Sequence, residues 1–243
     1  MKDSPRIALA TLLAVATLAS TVACQGPAAD PTPSATPSVV IATDEPLGPQ
    51  LLAAIQADDS ATVSALLAAG ASVTEDLGAG NQALHVAALG SRSELIPLLI
   101  AAGADVDARA AGDSTALMLA ADRADAATVQ ALLDAGADPY LADSLGYETT
   151  AIHRAGREGN VEALQVLVAA GVDVNLLENT KAHALMYAAF NGELDAVNYL
   201  IESGSDLELR DDAGKTAYEW AVERGNDDVA AALAAAGANT SGP

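Results

Sequence analysis

The stretch "LLIAAGADV" at residues 98–106 ends an apolar run with a glycine, an alanine and an aspartate. Closely similar strings return as "ALLDAGADP" at 131–139, "VLVAAGVDV" at 166–174 and "YLIESGSDL" at 199–207. A fixed interval between such strings indicates a chain built from stacked repeats. The intervals are 33, 33, 35, 33 and 33 residues between the glycines of the string, which are Gly70, Gly103, Gly136, Gly171, Gly204 and Gly237.

A second recurring string is centred eighteen residues before each of the last five glycines, as "QALHVAA", "TALMLAA", "TAIHRAG", "HALMYAA" and "TAYEWAV". Its threonines, Thr115, Thr150 and Thr216, can cap a helix by satisfying free backbone N–H groups. Apolar residues then follow helical spacing up to the closing glycine, which suits the left-handed turn that ends a helix. Each unit is therefore predicted to contain two short helices.

The 33-residue period, the T-x-L-H-like opening, the paired alanines and the "LLxxGAD" ending resemble the ankyrin repeat over about residues 50–239. The resemblance implies an all-α ankyrin-repeat solenoid of about six helix-turn-helix units, joined by short β-hairpin-like fingers such as "DDAGKT" at 211–216. Because one unit cannot bury its apolar face alone, neighbouring units are expected to stack. The predicted units are 50–77, 78–110, 111–143, 144–178, 179–211 and 212–239.

Several positions depart from this pattern. Gln82 and His183 stand where the other units have a capping threonine, and Gly156 replaces the second alanine of the fourth unit. The finger "DSLGYETT" at 143–150 is two residues longer than its counterparts and carries Tyr147. Insertions in fingers commonly lie on the binding side, although fingers also tolerate length changes most easily. The long finger is expected to contribute to binding.

Residues 1–23 have the charged start, apolar middle and small-residue end of a secretory signal. Cys24, the only cysteine, directly follows "TVA", which resembles a lipobox and implies that Cys24 is the lipidated first mature residue. Ordinary signal peptidase cleavage after Ala23 is an alternative. A retained anchor is disfavoured because the apolar run is shorter than the ~20 residues of a span. Residues 25–49, rich in Pro, Ala, Ser and Thr, predict a tether, and every version places the repeats outside the cytoplasm.

The charge argues against several classes of partner. The net charge is −22, from 33 acidic and 11 basic residues, so nucleic acid is not an expected ligand. The same field disfavours an anionic membrane surface, and membrane attachment is expected only through the lipid on Cys24. The "GKT" at 214–216 is not a phosphate loop, because Leu209 stands where that motif needs glycine.

No cofactor, metal site or catalytic grouping is predicted. His85 and His153 occupy the T-x-L-H position, which the ankyrin resemblance implies is a buried hydrogen-bonding group. His183 is isolated, and the spacing of zinc ligands is absent. The pairs of acidic residues do not follow the ligand spacing of a calcium loop. The chain is therefore expected not to be an enzyme.

In ankyrin proteins the first helices and the fingers line a concave surface. Counting from the histidine position gives one line of paired residues: Val86/Leu89, Leu119/Asp122, Arg154/Arg157, Tyr187/Phe190 and Trp220/Glu223. Three of the seven aromatic residues fall on this line, and Tyr, Trp and Arg are frequent interface hot spots. The predicted partner-binding residues are Arg154, Arg157, Tyr187, Phe190, Trp220, Tyr147, Leu89, Asp122 and Glu223, with Asn191, Glu158 and Arg224 as a polar rim.

Two interpretations of this line that involve no partner stay open. Tyr187 and Trp220 can fill a core that has few bulky residues, and Arg157 can simply pair with Glu158. The predicted function is a monomeric, non-enzymatic module outside the cytoplasm that binds another protein on its concave face. The alternatives are a dedicated inhibitor or immunity protein for a secreted or incoming enzyme, an enzyme or small-solute site in the groove, and a structural spacer of the envelope.

Overall fold

The computed structural model describes residues 41–42, 45–110, 112–123, 125–144 and 146–241. These residues belong to one unit, Val39–Pro243, with its own continuous core. The predicted signal segment, Cys24 and most of the tether lie outside the described residues. The first helix begins at Leu47, inside the stretch predicted as tether. Pro49 is tolerated there because the N–H groups of a first helical turn have no partner within the helix.

The described chain contains twelve α-helices in six consecutive pairs, and a single 3₁₀ turn, Ser93–Leu95, leads into the fourth helix. The helices are α1 Leu47–Gln56, α2 Ser60–Ala68, α3 Ala83–Leu89, α4 Ile96–Ala101, α5 Ala116–Ala121, α6 Ala126–Asp134, α7 Ala151–Arg157, α8 Val161–Ala169, α9 Ala184–Asn191, α10 Leu194–Glu202, α11 Ala217–Arg224 and α12 Asp227–Ala235. No helix among the described residues is long and apolar enough to cross a membrane.

The first helices begin as the sequence predicts. Thr115 accepts a hydrogen bond from the N–H of Met118, and Thr216 accepts one from the N–H of Glu219. His153 is buried, its Nδ1 accepts from the N–H of Thr150 at 3.2 Å, and its Nε2 lies 2.9 Å from the Leu176 carbonyl oxygen. These two contacts define a neutral ring that donates from Nε2 and joins α7 to the finger that follows α8.

Small residues allow the first helices to pack closely, and the second helices complete the core. The alanine pairs, such as Ala120 and Ala121, are fully buried. One apolar pair in each second helix is fully buried as well, such as Leu164 and Leu167 in α8. The closing glycines adopt the left-handed backbone expected of them, with φ of +93° at Gly103.

The fingers are tight turns that carry no strand in the described part of the chain. Backbone hydrogen bonds close them across four residues, as from Glu178 N to Ala182 O and from Asp211 N to Lys215 O, both 3.0 Å. In the long finger the bond runs from Asp143 N to Thr149 O, also 3.0 Å, across six residues. The two-residue insertion therefore enlarges the tip of this finger, where Tyr147 is 60% exposed.

Candidate partner-binding site

Five of the predicted contact residues line one pocket of about 340 Å³, with Thr180 and Asn191 completing its wall. The long finger contributes Tyr147, α7 contributes Arg157, α9 contributes Tyr187 and Phe190, and α11 contributes Trp220. The helical spacing that places these residues on one line of the first helices thus brings residues of three successive repeats together.

The aromatic rings contact one another edge to face. The ring centres of Tyr187 and Trp220 are 5.9 Å apart, and those of Phe190 and Trp220 are 5.4 Å apart. Such contacts stabilise a fixed arrangement of rings beyond the burial of their area. Tyr187 and Trp220 are half-buried and also pack against the core, whereas Phe190 is 38% exposed. Core packing and pocket lining are therefore both roles of Tyr187 and Trp220.

Carboxylates influence the polar ends of the two half-buried rings, through a hydrogen bond at Trp220 and through charge at Tyr187. The indole Nε1 of Trp220 donates a hydrogen bond of 2.9 Å to Asp211 Oδ2. Burial, followed by the negative charge of Glu178, raises the pKa of the Tyr187 hydroxyl far above its ordinary value. Tyr187 is thus neutral at physiological pH, and neither ring carries charge into the pocket.

Arg154 lies beneath the surface that it was expected to form, because only 8% of it is exposed. Its guanidinium contacts Asp122 at 3.0 Å, Asp143 at 2.8 Å and Ser114 Oγ at 2.7 Å. Burial raises the pKa of Asp143, but hydrogen bonds from Thr149 and Arg154 and the charge of Arg154 lower it below its ordinary value overall. Arg154 supports the site by holding α7 against the preceding unit rather than by touching a partner.

Arg157 reaches the pocket but is paired within the chain. Its Nε lies 2.9 Å from Glu158, and its Nη2 lies 3.4 Å from Asp122. The Asn191 side chain donates a hydrogen bond of 2.6 Å to the carbonyl oxygen of Arg157. Arg157 therefore does both: its charge is paired with Glu158, and its side chain forms part of the pocket wall.

The remaining predicted residues do not join this pocket. Leu89 lines a separate groove with Leu52 and Val86, between the first helices of the first two units. Glu223 forms an ion pair of 2.6 Å with Lys215 on another part of the surface. Asp122 is engaged by the two arginines. The nine predicted residues therefore divide into one pocket, its buried support and two outlying positions.

Sequence reasoning did not identify Thr180 or Asp211. Both lie in fingers, and backbone bonds join successive fingers, from Asn179 N to Tyr147 O and from Asp212 N to Thr180 O. Thr180 stands one repeat after Tyr147 at the matching finger position, once the two inserted residues are allowed for. That match was a usable signal for Thr180, whereas the contact between Asp211 and Trp220 depends on tertiary structure.

A second groove and the metal-ligating side chains are the other places where a site could lie. A groove of about 690 Å³ lies between α4 and α6, where Pro97, Ile100 and Ala131 are among its lining residues. It is larger than the aromatic pocket, but no aromatic ring or predicted contact residue lines it. Within the described ranges, no group of three His, Cys, Asp or Glu side chains is placed to hold a metal ion.

The described chain forms a repeat solenoid, with six pairs of helices, fingers between them and a pocket on the first helices. Solenoids of this class present an extended binding surface. Models of the ankyrin repeat match residues 51–143, 117–211 and 152–241. The chain therefore belongs to the ankyrin-repeat family, and the predicted fold class is confirmed.

Solved structures share this fold. A chain in the complex of the predatory endopeptidase Bd0816 from Bdellovibrio bacteriovorus with immunity protein Bd3460 is 25% identical, has a TM-score of 0.65, and aligns over 76% of this chain and 96% of that chain. The ankyrin repeat domain of Bcl-3, a member of the IkappaB protein family, is 24% identical with a TM-score of 0.69, over 82% and 88% of the two chains. No curated protein matches the sequence.

Proposed function

We propose that this chain is a non-enzymatic module that binds a protein partner on its concave face, centred on the aromatic pocket. One observation carries the proposal. Four of the seven aromatic residues of the chain, Tyr147, Tyr187, Phe190 and Trp220, converge on a pocket formed by three repeats and a long finger. Aromatic clusters of this kind are the usual hot spots of protein interfaces.

The pocket is held in shape before any partner arrives. Trp220 is fixed by its hydrogen bond to Asp211 and by two ring contacts, and α7 is fixed by the buried ion pairs of Arg154. A preorganised surface loses less side-chain entropy on association. This arrangement supports recognition by docking and involves no covalent step.

The test is partner retention by immobilised residues 39–243. The concave variant is Tyr147→Ala with Phe190→Ala, two exposed positions whose change should leave folding intact. The control variant is Glu94→Ala with Gln130→Ala, two exposed positions on the groove between α4 and α6. A partner that the control retains and the concave variant loses supports the proposal. Equal retention by both variants contradicts it.

A second candidate function is a dedicated inhibitor or immunity protein. The likeness to a chain in the endopeptidase–immunity protein complex favours it, since the alignment covers 96% of that chain. If this function holds, the retained partner is a peptidase or another hydrolase, and adding one equivalent of the chain abolishes its turnover. A partner whose activity is unchanged by saturating amounts of the chain favours a general binding module.

We further propose that the chain is exported, lipidated on Cys24 and displayed outside the cytoplasm as a monomer on the tether of residues 25–49. The signal-like segment of residues 1–23 and the position of the only cysteine support this. The expected mature protein begins at Cys24, carries the mass of attached lipid and sediments with membranes. After solubilisation in detergent it should be a monomer. Cys24→Ser should release it from membranes, and an unlipidated mature protein beginning at Cys24 would indicate ordinary signal peptidase instead.

A further inference from the structure

The arginines nearest the aromatic pocket do not offer their charges to a partner. Arg157 contacts Glu158 and Asp122, and Arg154 contacts Asp122 and Asp143. Each guanidinium already has carboxylate partners within 3.4 Å or less. A carboxylate from a partner would have to displace one of them, so the pocket is poorly suited to an anionic group.

Two further carboxylates lie next to the rings and form no salt bridge with the basic side chains that the structure describes. Glu178 is buried and accepts hydrogen bonds of 2.9 Å from the N–H groups of Thr180 and Ala182. Asp211 accepts the indole hydrogen bond of Trp220. A carboxylate that accepts from an indole N–H raises the electron density of the ring, which favours a cation over its face.

The aromatic cluster already binds a cation of its own chain. The guanidinium carbon of Arg224 lies 4.4 Å from the centre of the Phe190 ring. Arg224 does not line the pocket, where Phe190 still contributes surface beside Tyr147, Tyr187 and Trp220. With Arg224 included, three arginines and five acidic side chains lie in or next to the cluster. The acidic side chains outnumber the basic ones by two, so the local net charge is negative. The residues counted are Arg154, Arg157, Arg224, Asp122, Asp143, Glu158, Glu178 and Asp211.

We propose that the pocket receives an arginine or lysine side chain of a basic partner protein. The inference rests on the proposed function and names the chemistry of the group that is recognised. The volume of about 340 Å³ is at the low end of the range of about 300–1,000 Å³ for ligand pockets, which suits one long side chain. The net charge of −22 also attracts a basic partner over distance.

Trp220 gives a direct measurement, because it is the only tryptophan of the chain and lines the pocket. Residues 39–243 are titrated with blocked tripeptides Gly-Arg-Gly, Gly-Lys-Gly, Gly-citrulline-Gly, Gly-Leu-Gly and Gly-Glu-Gly, while the indole fluorescence and the indole N–H resonance are recorded. The arginine peptide is expected to bind at least about fivefold more tightly than its uncharged citrulline isostere. This preference should shrink at high salt because the attraction is electrostatic.

Matched variants separate the pocket from the rest of the surface. Tyr147→Ala removes a pocket ring and should weaken binding of the arginine peptide, whereas Tyr140→Ala removes an exposed tyrosine that precedes the long finger and does not line the pocket, and should not weaken it. Glu158→Gln keeps an acceptor for Arg157 but removes one negative charge. It should weaken the arginine peptide and leave the citrulline peptide unchanged.

Two results would overturn the inference. One is equal or tighter binding of the citrulline, leucine or glutamate peptide. The other is the absence of any saturable change in the Trp220 signals. In either case, a partner that residues 39–243 retain and the concave variant loses would leave the protein-binding function standing. If the concave and control variants instead retained the partner equally, the protein-binding function would be contradicted as well. The two failures are therefore distinguishable.

Discussion

Gly156 stands where the neighbouring units have alanine, as at Ala121 and Ala189, and the reason lies across the helix interface. A Cβ at this position would lie 2.6 Å from the carbonyl oxygen of Ala184 and 3.1 Å from the Ala184 Cβ. The obstacle is backbone of α9, which cannot move aside as a flexible side chain can. The glycine therefore allows α7 and α9 to approach more closely than an alanine would.

We expect Gly156→Ala to lower the free energy of unfolding, because the overpacked contact alone should cost about 1–3 kcal/mol. This loss opposes the gain of up to about 1 kcal/mol that alanine brings to a helix interior. Gly48→Ala is the control, since its Cβ would meet only the carboxylate of Glu75, an exposed and flexible side chain. Urea denaturation followed by circular dichroism measures both variants, and a more stable Gly156→Ala protein would contradict the structure.

His183 stands fully buried at the N-cap position of α9, and neither ring nitrogen has a hydrogen-bond partner among the residues that the structure describes. Burial, with a smaller contribution from the charge of His153, lowers the pKa of His183 to about 4. The unfolded chain therefore binds a proton at this residue at a higher pH than the folded chain does. Stability is fully present above about pH 6.5, the ordinary histidine pKa, and is lost as the pH falls towards 4.

Replacing His183 with threonine tests this linkage, since threonine caps the equivalent helices at Thr115 and Thr216. Between about pH 7 and about pH 5, we expect the wild type to lose about 2 kcal/mol of unfolding free energy through His183. The His183→Thr variant should lose less by about that amount, with a remaining slope from His85 and His153, whose pKa values burial also lowers. Identical pH slopes in urea titrations would show that His183 is not the group responsible.

At the scale of elements, a ladder of loop side chains joins the units from the second onward, and it is interrupted at one boundary. Asp138 N donates to Asp107 Oδ1 at 3.0 Å, and Asp206 N donates to Asn175 Oδ1 at 2.8 Å. Tyr140 holds the equivalent position between the third and fourth units, and its hydroxyl reaches the Gly171 carbonyl oxygen at 3.3 Å instead. The buried contacts of Arg154 cross the same boundary, so ion pairs link the two units there.

Arg154 and Arg157 form a matched pair for measuring this link. Arg154→Ala leaves Asp143 buried without its cation, and we expect it to cost about 3–5 kcal/mol of unfolding free energy. Arg157→Ala removes two ion pairs of a partly exposed side chain and should cost about 1 kcal/mol or less. Chemical denaturation gives both values. Similar losses in the two variants would mean that burial does not distinguish the two arginines.

At the scale of the whole molecule, the net negative charge lowers the stability of the stacked repeats. Each repeat contacts only its neighbours, and the chain carries a net charge of −22. Self-repulsion of this size opposes the compact state. The core offsets this repulsion with buried aliphatic side chains and closely packed alanines, and only 3% of the chain is aromatic.

Added salt should therefore stabilise the protein. Raising NaCl from about 0.02 M to about 0.5 M shortens the screening length from roughly 20 Å to roughly 4 Å, and the melting temperature is expected to rise. The buried ion pairs of Arg154 are screened much less than surface charges. Calorimetry in NaCl and in KCl checks the effect: a fall in melting temperature contradicts it, and a difference between the salts indicates specific ion binding.

The sequence by itself determined the solenoid and the line of residues along its first helices. A 33-residue interval and helical spacing are local rules, so Gly103, Thr115 and the histidines at 85 and 153 occupy the places that those rules assign. The same spacing aligned Tyr187, Phe190 and Trp220, and the long finger identified Tyr147. These residues meet in one pocket because each repeat places its first helix beside the next.

Only the tertiary structure decided what each charged or close-packed residue does. Arg154 and Arg157 are three residues apart on one helix, and Asp122 contacts both. Arg154 is buried because Ser114 of the preceding unit and Asp143 of the long finger also contact it, whereas Arg157 lines the pocket. Leu89 and Glu223 follow the same helical line but lie outside the pocket. Spacing along the chain specifies which face a residue shares, whereas burial and pairing depend on groups that other units bring into contact with it.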